Sequence, residues 1–85
     1  MSYFVYILEC SDKTLYTGIA TDVERRLDEH NNSDKGAKYT KIRRPLKLVY
    51  SEASENRSSA SKREYEIKKL SREKKLELIS RNINA

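Results

Sequence analysis

The residues best suited to carry out chemistry lie between Tyr16 and His30, in a segment that reads YTGIATDVERRLDEH. Tyr16 and Gly18 belong to a short extended piece, where a glycine permits a turn or the close approach of a ligand. Arg26 and His30 follow on a predicted helix and, being four residues apart, lie side by side on its surface. A guanidinium binds anionic oxygens, and a histidine exchanges a proton near neutral pH. The segment therefore predicts that a cation and the only histidine of the chain lie at the rim of the core, one helix away from a strand tyrosine.

A helix over about 22–32 must hold these two side chains in place. Thr21 and Glu24 fit a capping box, in which the hydroxyl and the carboxylate each bind an otherwise free amide of the first turn. The polar, glycine-containing stretch 31–36 predicts the end of this helix and the start of a loop.

Three strands are predicted to surround the tyrosines. The segment 3–10, YFVYILEC, is apolar on both faces and rich in aromatic and β-branched residues, which is typical of a central strand. The segment 14–18 returns antiparallel to it as a hairpin, a register that brings Tyr6 and Tyr16 close together. A third strand is predicted over 46–50.

A second helix is predicted over 59–70, after a polar connection at 51–59. Ala60, Glu64 and Ile67 share one face of it at helical spacing. A carboxylate in the middle of an inward-facing stripe is costly unless it has a charged partner or binds a metal. Glu64 is therefore a candidate metal ligand.

A third helix completes the chain, with Ser71 as its cap and Leu76, Ile79 and Ile83 as its buried side. The order of elements is β-β-α-β-α-α. It predicts an α/β (α+β) fold in which a three-stranded, mostly antiparallel sheet packs against helices. With 85 residues and no internal repeat, the chain is expected to form a single domain over 1–85.

The net charge and the cysteine content indicate which binding partners and which cellular compartment to expect. The formal net charge is +5, which favours a polyanion such as nucleic acid or, in the plainer interpretation, only keeps a small protein dissolved. The single cysteine, Cys10, excludes an intramolecular disulfide and fits a reducing cytoplasm. No signal peptide and no apolar run of ~20 residues is recognisable, so a cytoplasmic location without membrane contact is expected.

Positive charge is concentrated in the loop after the first helix, because no acidic residue occurs between Lys35 and Tyr50. Tyr39 lies among these cations and could stack on an unpaired base. The candidate nucleic-acid-binding residues are Gly18, Lys35, Lys38, Tyr39, Lys41, Arg43 and Arg44.

These motifs together resemble the GIY-YIG endonuclease superfamily. The triplets VYI at 5–7 and YTG at 16–18 resemble its two tyrosine motifs, and Arg26 and His30 match residues of the helix that follows. Glu64 looks like the metal-binding glutamate of a later helix. The resemblance covers nearly the whole chain.

The loop sequence resembles that of small stand-alone bacterial members, of the UPF0213 type, which share a GAKYT…RRP pattern, here at 36–40 and 43–45. Some letters depart from the superfamily pattern. Phe4 replaces the leading glycine of the first triplet, and Thr17 replaces the isoleucine of the second. Ile19 stands where some members carry a lysine, so a cation that activates the tyrosine is either missing or comes from Lys38, Lys41 or another residue of the loop.

The resemblance implies an endonuclease that hydrolyses DNA with one divalent ion, Mg²⁺ or Mn²⁺, held by Glu64. Either tyrosine could be the general base. The DNA could be branched or single-stranded, and we expect weak sequence preference or a partner protein or dimer that supplies specificity. The implied catalytic residues are Tyr6, Tyr16, Arg26, His30 and Glu64.

Other interpretations stay open at this point. Tyr6 could be an ordinary core tyrosine, His30 could be placed by the helix dipole, and Glu64 could form a structural ion pair. At the level of function, the alternatives are a nucleic-acid-binding module that does not cleave, or a protein-interaction domain.

Overall fold

A computed structural model describes residues 2–83, and side chains within it up to Arg81. Ile83, predicted to be buried, therefore has a side chain outside this description. No helix in the described part is long and apolar enough to cross a membrane. The elements are β1 (Tyr3–Glu9), β2 (Leu15–Ala20), α1 (Val23–Asn32), α2 (Lys38–Lys41), β3 (Lys47–Ser54), α3 (Arg57–Lys68) and α4 (Arg72–Ile83).

The three strands form one antiparallel sheet in the order β2-β1-β3, which confirms the predicted fold and the central place of β1. In the ladder Tyr6 lies opposite Gly18 of β2 on one side and Ser51 of β3 on the other. Tyr6 therefore projects from the middle of the sheet.

Alternating side chains of β1 build two cores, as expected for a strand covered on both faces. Val5 and Ile7 pack with Ala60 and Ile67 of α3 and with Ile79 of α4. On the opposite face, a second cluster packs against α1, and it includes Tyr6, Leu8, Cys10 and Leu46. The candidate site lies on this second face.

Two details around α1 differ from the sequence prediction. Its N-cap is Asp22, not Thr21, and the Asp22 carboxylate accepts a hydrogen bond from the Arg25 amide at 3.1 Å. A carboxylate also interacts favourably with the helix dipole, which a threonine hydroxyl cannot do to the same extent. The segment 38–41, predicted as loop, forms the short helix α2, closed by amide bonds to the Ala37 carbonyl.

Three further predictions were wrong for reasons of tertiary structure. β3 continues to Ser54, because its polar second half pairs with the central strand, and α3 consequently begins earlier, after the cap Asn56. Ser71 caps α4 as predicted, by accepting from the Lys74 amide at 3.2 Å. Leu76 is 42% exposed, however, because α4 turns Ile79 and the neighbouring Leu78 towards the core instead.

Candidate active site

Gly18 makes room for the phenol of Tyr6. The two residues are cross-strand partners, and a Cβ atom at position 18 would lie 2.5 Å from the Tyr6 Oη and 2.7 Å from its Cζ. Real Cβ contacts are never this short, so the Tyr6 ring can lie over β2 only because residue 18 has no side chain. The ring thereby directs its hydroxyl towards α1.

The Tyr6 hydroxyl lies 3.0 Å from Nε2 of His30, whose side chain is fully buried. The other ring nitrogen, Nδ1, lies 2.9 Å from the Thr40 Oγ1, and that hydroxyl donates its one proton to the Ala37 carbonyl at 2.8 Å. Thr40 must therefore accept from Nδ1–H, which leaves Nε2 as an acceptor. The neutral Nδ1–H tautomer of His30 thus receives a hydrogen bond from Tyr6.

Electrostatics keep both members of this pair neutral. Burial, reinforced by the Arg26 charge, lowers the pKa of His30 from its usual 6.5 to about 4. Burial likewise raises the pKa of Tyr6 to about 12, with a smaller contribution from the nearby Tyr16. An uncharged phenol and an uncharged imidazole are therefore held in contact at neutral pH.

Tyr16 is the more accessible of the two candidate tyrosines. It is half-buried, whereas Tyr6 is 2% exposed. Both rings surround His30, with centroid distances of 5.2 Å for Tyr16 and 6.1 Å for Tyr6, so the predicted proximity of the tyrosines is confirmed. Tyr16 also stacks on Tyr39 at 6.0 Å. Its phenol borders the solvent beside the buried pair.

Arg26 lies on α1 next to the phenol of Tyr6. Its Nη1 donates to the Glu29 carboxylate at 3.0 Å and to the Lys35 carbonyl at 2.8 Å. At Tyr6 its positive charge lowers the pKa of the phenol and so opposes the larger effect of burial. At His30 the same charge adds to the effect of burial, and both lower the pKa of the imidazole. The guanidinium is thus fixed through one nitrogen and keeps further N–H donors.

Glu64 lies on α3, which packs on the opposite face of the sheet from α1, and its link to Tyr6 is electrostatic. Its side chain is 23% exposed, lies 3.4 Å from the Lys68 ammonium, and contributes to the raised pKa of Tyr6. Within the described part of the chain, no three His, Cys, Asp or Glu residues cluster in a way that could hold a metal ion. A single carboxylate does fit Mg²⁺, which keeps several water ligands and takes others from a substrate phosphate.

The cations of the loop divide into two groups. The guanidinium of Arg43 contacts the Asp12 carboxylate at 3.1 Å and the Tyr39 carbonyl at 2.8 Å, and lies over the Tyr39 ring at 3.8 Å. Arg44 donates to the carbonyls of His30 and Ser33, both at 2.6 Å. These two arginines thus hold the loop and the end of α1 in place. Lys35, Lys38 and Lys41 are exposed.

Sequence reasoning missed Thr40 and Asp12, which support the site from outside the motifs. Thr40 fixes the His30 tautomer, and Asp12 fixes Arg43. The KYT segment indicates only positive charge and an aromatic ring. A threonine between a tyrosine and a lysine gives no sign that it is fully buried.

Arg44→Met is expected to lower the free energy of unfolding by roughly 1.5–3 kcal/mol, because it removes charged hydrogen bonds to two carbonyls at the end of α1. Urea denaturation would measure the change. The matched control is Lys41→Met, which removes one charge from an exposed position of the same loop. Equal stabilities of the two variants would contradict a structural role for Arg44.

Comparison with known proteins assigns the family. The model of the GIY-YIG catalytic domain matches residues 2–77. The chain belongs to the GIY-YIG family. It is 59% identical to the UPF0213 protein SSP2268 of Staphylococcus saprophyticus over 78 residues, covering 92% of this chain and 94% of that protein. A UPF0213 protein of Syntrophus aciditrophicus is 60% identical over 79 residues, covering 93% and 91%.

Solved structures of small GIY-YIG relatives have the same fold. The UPF0213 protein BH0048 of Bacillus halodurans is 51% identical with a TM-score of 0.60, and the similarity covers 94% of this chain and 84% of that one. The protein EF2693 of E. faecalis is 41% identical with a TM-score of 0.68, covering 100% and 90%. The predicted resemblance to small stand-alone members is therefore confirmed.

Proposed function

We propose that this GIY-YIG domain is a metal-dependent endonuclease that hydrolyses DNA phosphodiester bonds. The observation that carries the proposal is the arrangement around His30, where two tyrosines and the Arg26 guanidinium meet on one face of the sheet. Hydrolysis of a phosphodiester requires a proton acceptor for water and positive charge for the phosphate oxygens. Both are present within one small site.

In this proposal the Tyr16 oxygen receives the proton of the attacking water after it has given its own phenolic proton to the solvent. It is the tyrosine that borders the solvent, whereas the hydroxyl of Tyr6 is committed to His30. Tyr6 and His30 act as positioning residues, because the His30 ring packs against Tyr16 and Tyr6 belongs to the cluster on which Tyr16 packs.

In this proposal Arg26 and a divalent ion supply the positive charge that stabilises the negative transition state. The N–H groups of Arg26 that are not bonded to Glu29 or Lys35 stabilise the charge that develops on the phosphate. Glu64 would hold the ion, Mg²⁺ or Mn²⁺, after exchanging its contact with Lys68. The bound ion would supply Lewis-acid stabilisation of the phosphate and the leaving oxygen.

DNA contacts outside the site are assigned to exposed lysines of the loop, Lys35, Lys38 and Lys41. Such contacts neutralise phosphates without reading sequence, so weak sequence preference follows unless a partner protein or a second copy contributes. A cytoplasmic location belongs to the same proposal and agrees with the buried, free thiol of Cys10.

Cleavage assays on single-stranded, duplex and branched DNA with Mg²⁺ or Mn²⁺ test the proposal. Wild-type protein should cleave only with metal, and Arg26→Ala and Glu64→Gln should each reduce the rate by on the order of 10²–10³. Arg25→Ala and Glu66→Gln are matched controls, since each removes the same charge from an exposed position of the same helix. Identical cleavage by all five proteins would indicate a contaminating nuclease and refute the proposal.

A non-catalytic DNA-binding module is the second candidate function. The Lys68 ammonium 3.4 Å from the Glu64 carboxylate favours it, because an ion pair already satisfies the proposed metal ligand. Binding that persists in Glu64→Gln, together with wild-type protein that never cleaves, would support the module in place of the nuclease.

A further inference from the structure

A groove of about 300 Å³ opens beside Tyr16. We call it the side groove. β2 and α2 form one wall, and α3 and α4 contribute the other. It is lined by Leu15, Tyr16, Thr17, Tyr39, Lys68 and Lys75.

Lys75 gives the side groove an unneutralised positive charge. It is half-buried, and among the residues whose side chains are described no carboxylate lies within 4 Å of its ammonium. Its neighbour Lys74 differs, because it is exposed and lies 3.5 Å from Glu77. A cation that lines a groove and lacks a counter-charge favours an anionic ligand.

The aromatic side of the groove is fixed in advance. Tyr39 stacks on Tyr16, and its ring carries the Arg43 guanidinium at 3.8 Å. Asp12 in the β1–β2 turn holds that guanidinium at 3.1 Å. Tyr39 nevertheless stays 40% exposed, so the part of the aromatic pair that these contacts leave uncovered is held rigidly for a ligand. Little conformational entropy is lost when a flat ligand binds such a surface.

Aromatic rings together with a nearby ammonium match a nucleotide, whose base stacks and whose phosphate is anionic. A base within a duplex has both faces covered by its neighbours, so only an unpaired base can contact the aromatic pair. Charge complementarity and ring chemistry therefore select an unpaired strand over a double helix.

We propose that the side groove binds a nucleotide of an unpaired DNA strand, with its base against the Tyr16–Tyr39 pair and its phosphate on Lys75. The placement of this nucleotide next to the cleaved bond rests on the function proposed above; the binding itself does not. The ligand class is an unpaired DNA strand.

Binding of fluorescent oligothymidylate, measured by anisotropy in EDTA, tests this assignment. Lys75→Met should weaken binding at least fivefold and reduce the slope of log affinity against log salt by ~0.7, the value for one phosphate of a single strand. Lys74→Met removes the same charge one residue away and should change affinity less than twofold. Equal effects of the two variants, or duplex DNA bound as tightly as the single strand, would overturn the proposal.

Base stacking is tested separately with an oligomer of the same length that carries no bases. Wild-type protein should bind it on the order of tenfold more weakly than oligothymidylate, whereas Tyr39→Leu should hardly distinguish the two. A variant that still prefers the thymidine oligomer as strongly as wild type would refute the contact with Tyr39. Oligouridylate bound more than tenfold more tightly than the DNA strand would replace DNA by RNA as the ligand and so also overturn the proposal.

These measurements need no catalysis, so the two proposals can fail independently. Selective, Lys75-dependent binding by a protein that never cleaves would support nucleotide binding in the side groove and refute the proposed nuclease activity. Metal-dependent cleavage with equal binding by Lys75→Met and Lys74→Met would do the reverse.

Discussion

Gly18→Ala is expected to abolish the proposed DNA cleavage and to lower the free energy of unfolding by roughly 1–3 kcal/mol, the usual cost of overpacking a core. The new methyl carbon would lie 2.5 Å from the Tyr6 Oη and 2.7 Å from the Cζ. The Tyr6 ring belongs to the central strand and is packed among Leu8, Cys10 and Leu46. It can therefore escape only by withdrawing its hydroxyl from His30. Urea denaturation and the cleavage assay would measure the two effects.

A second background isolates the cause. In Tyr6→Leu protein the phenol is absent, so adding Gly18→Ala should cost much less stability than it does in wild type. An equal loss in both backgrounds would mean that the alanine acts on the β2 backbone and not on the phenol. Gly18, first considered as a place where DNA approaches the backbone, is buried against Tyr6 in the structure. The variant therefore reports on the position of the phenol.

The free energy of unfolding is expected to fall by about 3 kcal/mol as the pH decreases from 6.5 to 4. His30 has its pKa lowered from 6.5 to about 4 in the folded protein. In this window the unfolded chain binds a proton at His30 that the folded chain does not, so acid favours unfolding. The stabilisation is complete above pH 6.5 and is lost as the pH falls towards the folded pKa. Urea denaturation at half-unit pH steps would trace it.

The chain is well suited to this measurement, because it has one histidine and no other side-chain type ordinarily titrates in the middle of that window. His30→Gln serves as the control. Its amide can donate to Thr40 and accept from Tyr6, yet it does not titrate. The variant should lose most of the dependence between pH 6.5 and 4. The same slope in wild type and His30→Gln would assign the acid sensitivity to carboxylates.

The sequence allowed the fold to be predicted because its signals agree with one another. Apolar residues on both faces of 3–10 indicated a central strand, and the structure confirms it. Tyr6, Tyr16, Arg26 and His30 could be selected because each lies on a regular element, where spacing along the chain determines position in space. Their roles in catalysis stay predictions.

Contacts between distant segments could not be predicted in this way. Asp12 and Arg43 are 31 residues apart, and Arg44 reaches His30 from a loop without regular periodicity. Leu76 was placed inside because a helix pattern does not specify which neighbour the helix meets. The extension of β3 to Ser54 depended on pairing with Tyr3, and polar residues alone indicate a turn.

The hydrogen bonds from Tyr6 through His30 and Thr40 all point the same way and end at the Ala37 carbonyl, which has no proton to pass on. The low pKa of His30 disfavours an imidazolium at the centre of this chain of hydrogen bonds, and the Ala37 carbonyl closes its far end. The chain therefore insulates the Tyr6 phenol from the solvent behind Thr40, and in the proposed reaction protons are exchanged on the Tyr16 side.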